Sequence, residues 1–597
     1  MKILSVFLAL SSLSWASPPN ILFIAIDDLR TELNCYGATH IHSPHIDQLS
    51  KSGRQFNRHY VSVPICAASR YAMLTGLRPT HLTDDNRAFD KMPTVQKIDP
   101  ESWVELLRRN GWKTVCIGKV SHESDGFQWS PASSDGARER VLNPDMNFSW
   151  DEIAFDHSKW GAQTNPVLAY SDGTARERLV SASFEVGTDD SANSISDQDL
   201  PDGGIAEAAI EKLKEFKDDN TRFCLAVGFL KPHLPFNAPR QYFDLYDKNF
   251  LPSPNPTQRP VGAQQGSIVE GEEITLYTQN SNLKDLKWAY SACVSYIDAQ
   301  VGKITSALDE LDLSKNTVVL LWSDHGWMIG DYGLRGKQTL LERSLLTPLI
   351  VRLPEQVDGF YLPGSPTDAL VESLDIYPTI AEICGLEIPS NIAGESLVPL
   401  LKNPFLKGKP YTYSRFSTYH TVRTKNHRLI NGFGISDTYI LSSPGEFETN
   451  DVSSQFPQLT SELTAQLLIQ PLGSSQSFAA WSEQNEITGG LWGDDDLDGQ
   501  NNFSEYGLNS DPNDASSRGV LDLQSKTDHN FDPLTLSMSL NRLARDFPLD
   551  IGKSKDLENW EPIRPVSLDF NELNDQLSIE FLPGSQKEFY QIRISQK

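Results

Sequence analysis

Asn20 to Asp28, N-I-L-F-I-A-I-D-D, is a run of six consecutive apolar residues that ends in two acids. A strand with one face in water alternates apolar and polar side chains, whereas an unbroken apolar run fits a strand covered on both faces, as in a parallel sheet. Three later runs repeat the design: Lys113–Val120 (K-T-V-C-I-G-K-V), Phe223–Phe229 (F-C-L-A-V-G-F) and Asn316–Gly326 (N-T-V-V-L-L-W-S-D-H-G). Helical segments lie between them: Trp103–Asn110, stopped by Gly111, then Gly204–Phe216 and Leu283–Leu311. In the last, Leu286, Tyr290, Val294, Ile297, Val301, Ile304 and Leu308 recur at steps of three and four, which makes one buried face and assigns the helix to structure rather than chemistry. Leu349–Leu353 adds a strand and Leu374–Cys384 a helix. Strands alternating with helices predict an α/β fold with a large, mostly parallel sheet sandwiched by helices.

Functional groups in such open sheets collect at the carboxyl ends of the strands. Each of the four runs ends in polar groups: Asp27 and Asp28, Lys119 and His122, His233 within K-P-H-L-P-F, and Asp324 with His325. The prolines flanking His233 hold it at a fixed position past its strand. The acids are candidate ligands for a hard metal ion.

The chain of 597 residues is too long for one core, and one large domain of about 450 residues plus a smaller one is expected. Met1–Ala16 reads as a signal peptide: Lys2, the apolar run Ile3–Leu10, and Ser14-Trp15-Ala16 as a cleavage site. That run is too short to span a bilayer and no later segment reaches about 18 apolar residues, so an exported chain, periplasmic or extracellular, with no membrane span is expected. The net charge of −27 argues against nucleic acid and anionic membrane surfaces as partners. An anionic substrate stays open, because a basic site dominates its own cleft over a screening length of roughly 8–10 Å. Six cysteines without framework spacing predict mostly buried thiols and at most one or two disulfides.

Pro64–Pro79, P-I-C-A-A-S-R-Y-A-M-L-T-G-L-R-P, sets Cys66 just ahead of a helical segment closed by Gly76. Free backbone N–H groups at a helix N-terminus favour an anion, which suits a nucleophile that attacks a charged ester. Cys66-x-Ala68-Ser69-Arg70 followed by Leu74-Thr75-Gly76 resembles the hallmark of the type I sulfatases of the alkaline phosphatase superfamily, although Ala68 stands where that motif more often has proline. The resemblance extends to G-K-x-x-H at Lys119 and His122, and to K-P-H-x-P-F at His233. It continues in S-D-H-G-W at Asp324 and His325 with Lys337 in the R-G-K stretch, where His325 marks the branch similar to iduronate-2-sulfatase.

The resemblance covers about Ser17 to Leu472 and implies an exported sulfatase acting on a sulfated polysaccharide or oligosaccharide, with 2-O-sulfated uronic acid as one candidate. It implies that a maturation enzyme converts Cys66 to formylglycine, and that Asp27, Asp28 and Asp324, with the converted Cys66, hold a calcium ion, while His325 is either a weak inner ligand or a contact to the sulfate instead. Arg70, Lys119 and Lys337 would supply fixed positive charge, His233 the proton for the departing sugar oxygen, and His122 assistance at the aldehyde. Arg423 and His427 are candidate substrate contacts. An alternative within the superfamily is a phosphate or phosphonate ester hydrolase, and an alternative of another class is a glycan-binding protein in which Cys66 stays a thiol.

The expected organisation is a leader at 1–16, a catalytic α/β domain at 17–385, a small antiparallel subdomain at 386–475 and an appended β-rich module at 476–597. The polar region Ser124–Leu200 reads as an insertion, either part of the substrate cleft wall or a decorative surface loop. In the last module Asp494–Glu505, D-D-D-L-D-G-Q-N-N-F-S-E, fits a calcium loop: Asp494, Asp496, Asp498, Gln500 and Glu505 as ligand positions and Gly499 at the sharp turn. Alternation in Leu577–Phe581 and Phe589–Ile594 predicts strands after it.

Overall fold

A computed structural model describes residues 18–79, 88–89, 101–122, 127–129, 140–144, 148–155, 195–264, 281–354, 363–432, 435–441 and 446–469, together with strands between 521 and 594. The leader, most of the Ser124–Leu200 region and the acidic loop Asp494–Glu505 lie outside the described residues.

Eight strands form the main sheet: β1 (Asn20–Ile26), β2 (Arg54–Tyr60), β3 (Lys113–Gly118), β4 (Glu152–Ile153), β5 (Phe223–Phe229), β6 (Thr317–Ser323), β7 (Leu349–Arg352) and β8 (Thr367–Glu372). Their order across the sheet is β8-β2-β7-β6-β1-β5-β3-β4. Only β7 runs antiparallel to its neighbours, so the sheet is mostly parallel as the apolar runs predict. Every residue of β1, β5 and β6 is buried. Alternate side chains of β1 enter two separate cores: Leu22, Ile24 and Ile26 join one, Ile21, Phe23 and Ala25 the other. The first core packs under α3 (Pro201–Asp218) and α4 (Ser281–Glu310), the second under α1 (Cys66–Thr75), α2 (Trp103–Arg109) and α5 (Ile376–Ile383). Two covered faces are the reason these strands carry polar side chains only at their end residues, Asn20, Thr317 and Ser323.

The four strands singled out by their polar ends are neighbours, β6-β1-β5-β3, and they stop in step. Ile26 lies opposite both Phe229 and Ser323, and Gly118 lies opposite Gly228. Asp27, Lys119, Leu230 and Asp324 therefore leave the sheet at one edge.

Contacts divide the chain into two units, Met1–Arg428 with Asp437–Val452, and Leu429–Ser436 with Ser453–Lys597. After the main sheet, Thr412–Phe416, Tyr419–Arg423, His427–Gly432 and Ile435–Ile440 form a four-stranded sheet in sequential order, the small sheet expected there. Toward the C-terminus, seven strands between Leu521 and Ile594 form two antiparallel sheets, and Gln576–Phe581 and Phe589–Ile594 are among them. None of the six cysteines forms a disulfide, and five of them are buried. Among the described residues no helix is long and apolar enough to cross a membrane.

Candidate active site

Cys66 is the first residue of α1, preceded by extended Ile65, which offers no side-chain cap. The helix is buried along its whole length, so the thiol is held in the interior, 3% exposed. Ser69 Oγ donates to the Asp324 carbonyl at 2.5 Å, tying this helix to the end of β6. One turn on, Arg70 spreads its guanidinium over the strand ends: Nε donates to Asp324 Oδ2 at 2.9 Å, Nη2 to Asp27 Oδ1 at 3.3 Å, and Nη1 to the Lys119 carbonyl.

Lys119 reaches inward because two glycines let β3 and β5 close up. A Cβ on Gly228 would lie 2.0 Å from the Lys119 carbonyl oxygen, and one on Gly118, whose φ is 75°, would lie 2.2 Å from the Gly228 carbonyl oxygen. With neither present, Lys119 Nζ donates to Asp27 Oδ2 at 2.5 Å.

Asp324 Oδ1 accepts the backbone N–H groups of Asp28 (3.1 Å) and His325 (3.0 Å), which locks the ends of β1 and β6 together. The His325 Nδ1 lies 3.1 Å from the Gly326 carbonyl, so it must be the protonated nitrogen, and the bare Nε2 points to Cys66 Sγ at 3.3 Å. The same Nε2 is 3.4 Å from Asp28 Oδ1 and 3.7 Å from Asp324 Oδ2. Lys337 follows the hairpin Met328–Ile329/Arg335–Gly336, and Gln338 N–H donates to the Pro64 carbonyl at 3.0 Å, which sets the loop against the Cys66 segment. Lys337 Nζ then bonds Cys66 Sγ at 2.8 Å and Asp28 Oδ1 at 3.0 Å.

His233 stands past β5 on a loop pinned from beneath. Asp202 Oδ1 accepts the Leu230 N–H at 2.6 Å, and Lys231 Nζ donates to the carbonyls of His233 (3.1 Å) and Pro235 (2.7 Å). His233 Nδ1 donates to the Leu234 carbonyl at 2.7 Å, and Nε2 is 3.9 Å from Asp28 Oδ2. Its side chain is 20% exposed against 0% for Asp27 and Asp28, so it lies at the mouth of the cluster rather than its floor. His122 is half-buried, with Nδ1 shielded from solvent and without a hydrogen-bond partner among the described residues.

The electrostatics follow from burial set against charge. For Asp27 burial acts upward, but Lys119, His233, Arg70 and Lys337 outweigh it and hold the carboxyl well below its usual range. Burial pushes Asp28 up to about 7, opposed by Lys337 and aided by Asp27. Burial raises the Cys66 thiol, with Lys119 and Lys337 pulling the other way. Burial together with Lys119 and Arg70 brings His122 down to about 3, and burial lowers His325 and His233 as well.

A metal ion fits this donor set. Asp28 Oδ2 is shielded from solvent and has no hydrogen-bond partner among the described residues, and His325 presents a bare nitrogen. Ligand atoms of Asp27, Cys66, Asp324 and His325 lie within 4.8 Å of one another, as do those of Asp27, Asp28, Cys66 and His233. Three carboxylates are hard oxygen donors of the kind calcium takes.

Arg423 is not brought to this cluster. It is 1% exposed, with Nε 3.2 Å from Glu342 Oε2 and Nη1 2.6 Å from the Thr424 carbonyl. Buried and saturated there, it belongs to the network of Tyr60, Glu342, Arg428 and Glu448 behind the Lys337 loop, which corrects its reading as a substrate contact. His427 opens the next strand, half-buried beside Thr424 at 3.4 Å. Sequence reasoning missed Asp202 and Glu342 as supports of the site, because nothing local marks a buried charge whose partners lie 28 and 81 residues away, and it missed Lys231 because the string K-P-H-L-P-F does not show that the ammonium turns back onto the His233 and Pro235 carbonyls.

Comparison with known proteins gives a consistent result. The family model described as Sulfatase matches residues 19–386, and that for the C-terminal part of N-sulphoglucosamine sulphohydrolase matches residues 330–469. A sulfatase of Formosa agariphila is 30% identical over 443 residues, covering 69% of this chain and 78% of the relative. The iduronate 2-sulfatase of Homo sapiens is 28% identical over 454 residues, covering 67% and 78%. Among solved structures, the phosphonate monoester hydrolase of Agrobacterium radiobacter superposes with a TM-score of 0.59 at 20% identity, covering 75% of this chain and 95% of that one, a likeness of fold.

Proposed function

Because the chain belongs to the sulfatase family and is a sulfuric ester hydrolase, we propose that position 66 is its nucleophile after conversion of Cys66 to formylglycine, with calcium bound beside it. The observation that carries this is the convergence on one buried thiol of Lys337 Nζ at 2.8 Å and His325 Nε2 at 3.3 Å, with Asp27, Asp28 and Asp324 around them. A buried structural cysteine has no use for such surroundings.

Cys66 Sγ marks where the oxygens of an aldehyde hydrate on the same Cβ would lie. When formed, the hydrate would supply two hydroxyls on one carbon: one as the nucleophile at sulfur, the alcohol being the leaving group, and one whose deprotonation would let sulfate depart and return the aldehyde. Asp27, Asp28, Asp324 and His325 would hold the calcium, which when bound lowers the pKa of an oxygen nucleophile and neutralises sulfate oxygens. Three carboxylates face three cations here, Arg70, Lys119 and Lys337, so a divalent ion leaves the centre positive. That sign suits a sulfate monoester, which repels nucleophiles elsewhere.

Arg70 and Lys119 act from the floor, where their bonds to Asp27 and Asp324 fix the ligands; Lys337 acts beside the nucleophile. His233, at the mouth, is placed to give the departing sugar oxygen a proton, because an alkoxide is a poor leaving group. For that role His233 must be the imidazolium, with a second proton on Nε2, since the Nδ1 proton is committed to the Leu234 carbonyl; burial opposes that charge, so the bound sulfate anion has to stabilise it. His122 would assist at the aldehyde.

The substrate we infer is a sulfated polysaccharide or oligosaccharide. Likeness to iduronate 2-sulfatase supports 2-O-sulfated uronic acid as the first compound to try. Export through the Met1–Ala16 leader, a maturation enzyme that accepts Ala68, and a second calcium in the Asp494–Glu505 loop complete the proposal.

The test is the mass of the tryptic peptide His59–Arg70 from chain made with a formylglycine-generating enzyme, followed by sulfate release from sulfated glycans. A thiol-to-aldehyde mass loss with turnover is expected. An intact thiol, under conditions that convert a control sulfatase, would refute the nucleophile and favour a glycan-binding role.

A further inference from the structure

Asp28 occupies the left-handed region, φ 60°, where a residue with a Cβ is strained. The turn that carries it is held by side chains from elsewhere. Asp28 N–H goes to Asp324 Oδ1 at 3.1 Å and Leu29 N–H to Ser323 Oγ at 3.1 Å, both from the end of β6. The remaining two bonds come from a single hydroxyl on α4: Tyr290 donates to the Asp28 carbonyl at 2.9 Å and accepts the Arg30 N–H at 3.1 Å.

Tyr290 is 0% exposed, so no water competes for these bonds. Its ring also packs edge-on against Phe236, centroids 5.5 Å apart at 82°, and Phe236 closes the K-P-H-L-P-F loop that carries His233. One side chain of a helix that periodicity marks as plain core thus touches both the turn bearing Asp28 and the loop bearing His233.

We propose that Tyr290 is a positioning residue for the metal centre: its hydroxyl holds the Asp28 turn in the conformation that aims the carboxylate at the ion. This rests on the reading of the centre as a calcium site. Groups that orient metal ligands through a hydrogen bond typically account for 10–100-fold in metal affinity. Tyr290→Phe removes the hydroxyl and keeps the ring, so the contacts to Phe236 and Arg30 survive.

The experiment is calorimetric titration of calcium into the metal-free full-length chain, with Asp494→Ala and Asp498→Ala added throughout so that the C-terminal acidic loop contributes no signal. Three proteins are compared: this parent, the parent with Tyr290→Phe and the parent with Asp27→Asn. The expected result is a Kd raised about 10-fold or more by Tyr290→Phe and binding abolished by Asp27→Asn. Melting in excess chelator and in excess calcium should then show a larger loss of Tm with calcium than without. Binding by Tyr290→Phe within twofold of the parent, with Asp27→Asn inactive for calcium and Tm equally lowered in both conditions, would make Tyr290 merely structural and overturn the inference while leaving the calcium reading intact. Unchanged binding in Asp27→Asn would overturn the calcium reading, and the inference with it.

Discussion

Gly228→Ala tests how the strand ends are assembled, at a residue that touches no substrate. Its Cβ would lie 2.0 Å from the Lys119 carbonyl oxygen, 2.1 Å from the carbonyl carbon and 2.6 Å from Val120 N, all main-chain atoms that cannot rotate away. Real contacts of this kind stay beyond 3.0 Å, so the backbone at Lys119 must retreat by about 1 Å. That retreat strains three bonds at once: Lys119 N–H to the Gly228 carbonyl (2.8 Å), Arg70 Nη1 to the Lys119 carbonyl, and Lys119 Nζ to Asp27 Oδ2 (2.5 Å). Overpacking of this size costs about 1–3 kcal/mol, which lowers Tm by a few degrees in a domain this large. A displacement of about 1 Å among groups that position a reacting centre costs on the order of 100-fold in rate. The assay is kcat/KM for sulfate release at a temperature well below both melting transitions, on chain whose maturation is confirmed by mass, with Tm measured alongside. A roughly 100-fold loss with a modest Tm change is expected. Wild-type activity, or a loss no greater than the unfolded fraction, would refute the argument that this glycine pair sets Lys119 and Arg70.

Lys337→Ala removes the cation beside Cys66 and Asp28 and should lower kcat/KM by about 100–1,000-fold in chain that still folds by circular dichroism; near-normal turnover would exclude Lys337 from the reaction. His233→Ala should slow sugar sulfates about 100-fold or more while affecting aryl sulfates much less, since phenolates leave without a proton. Equal losses on both substrates would argue against its role as the acid. Glu342 is held at about 2, from a usual 4.5, because Arg423 and Arg428 overcome the upward push of burial. A depressed carboxylate contributes stability that is full above 4.5 and lost as pH falls from there toward 2, here on the order of 3 kcal/mol. Glu342→Gln should therefore flatten the decline of the urea midpoint below pH 4.5 and lower stability at neutral pH, where two arginines face an uncharged amide. A wild-type slope in acid would show that the pair is not what titrates.

How much was legible in advance divides along a physical line. Strand identity and the polar groups that end each strand are local properties: burial on both faces demands an uninterrupted apolar run, and the first polar residue marks where the sheet stops, as at Asp27, Lys119 and Asp324. The Cys66 helix start is local too, fixed by an extended Ile65 before it and Gly76, with φ 67°, after it. These features determined the fold class, the edge that carries the chemistry and the residues to consider. They could not determine which strands are neighbours, and that decides which end groups meet. Cys66 bonds His325 and Lys337 across 259 and 271 residues, and Asp28 bonds Asp324 across 296.

The same limit explains the residues read differently from sequence. Arg423 reads from sequence as a candidate substrate contact because nothing nearby announces Glu342, which lies 81 residues away. Tyr290 resembled one more apolar position because a ring satisfies the periodicity of a buried helix face, while its hydroxyl finds Asp28 across 262 residues. Periodicity reports which side chains leave water; only the folded chain decides which polar atoms, once out of water, have each other as partners.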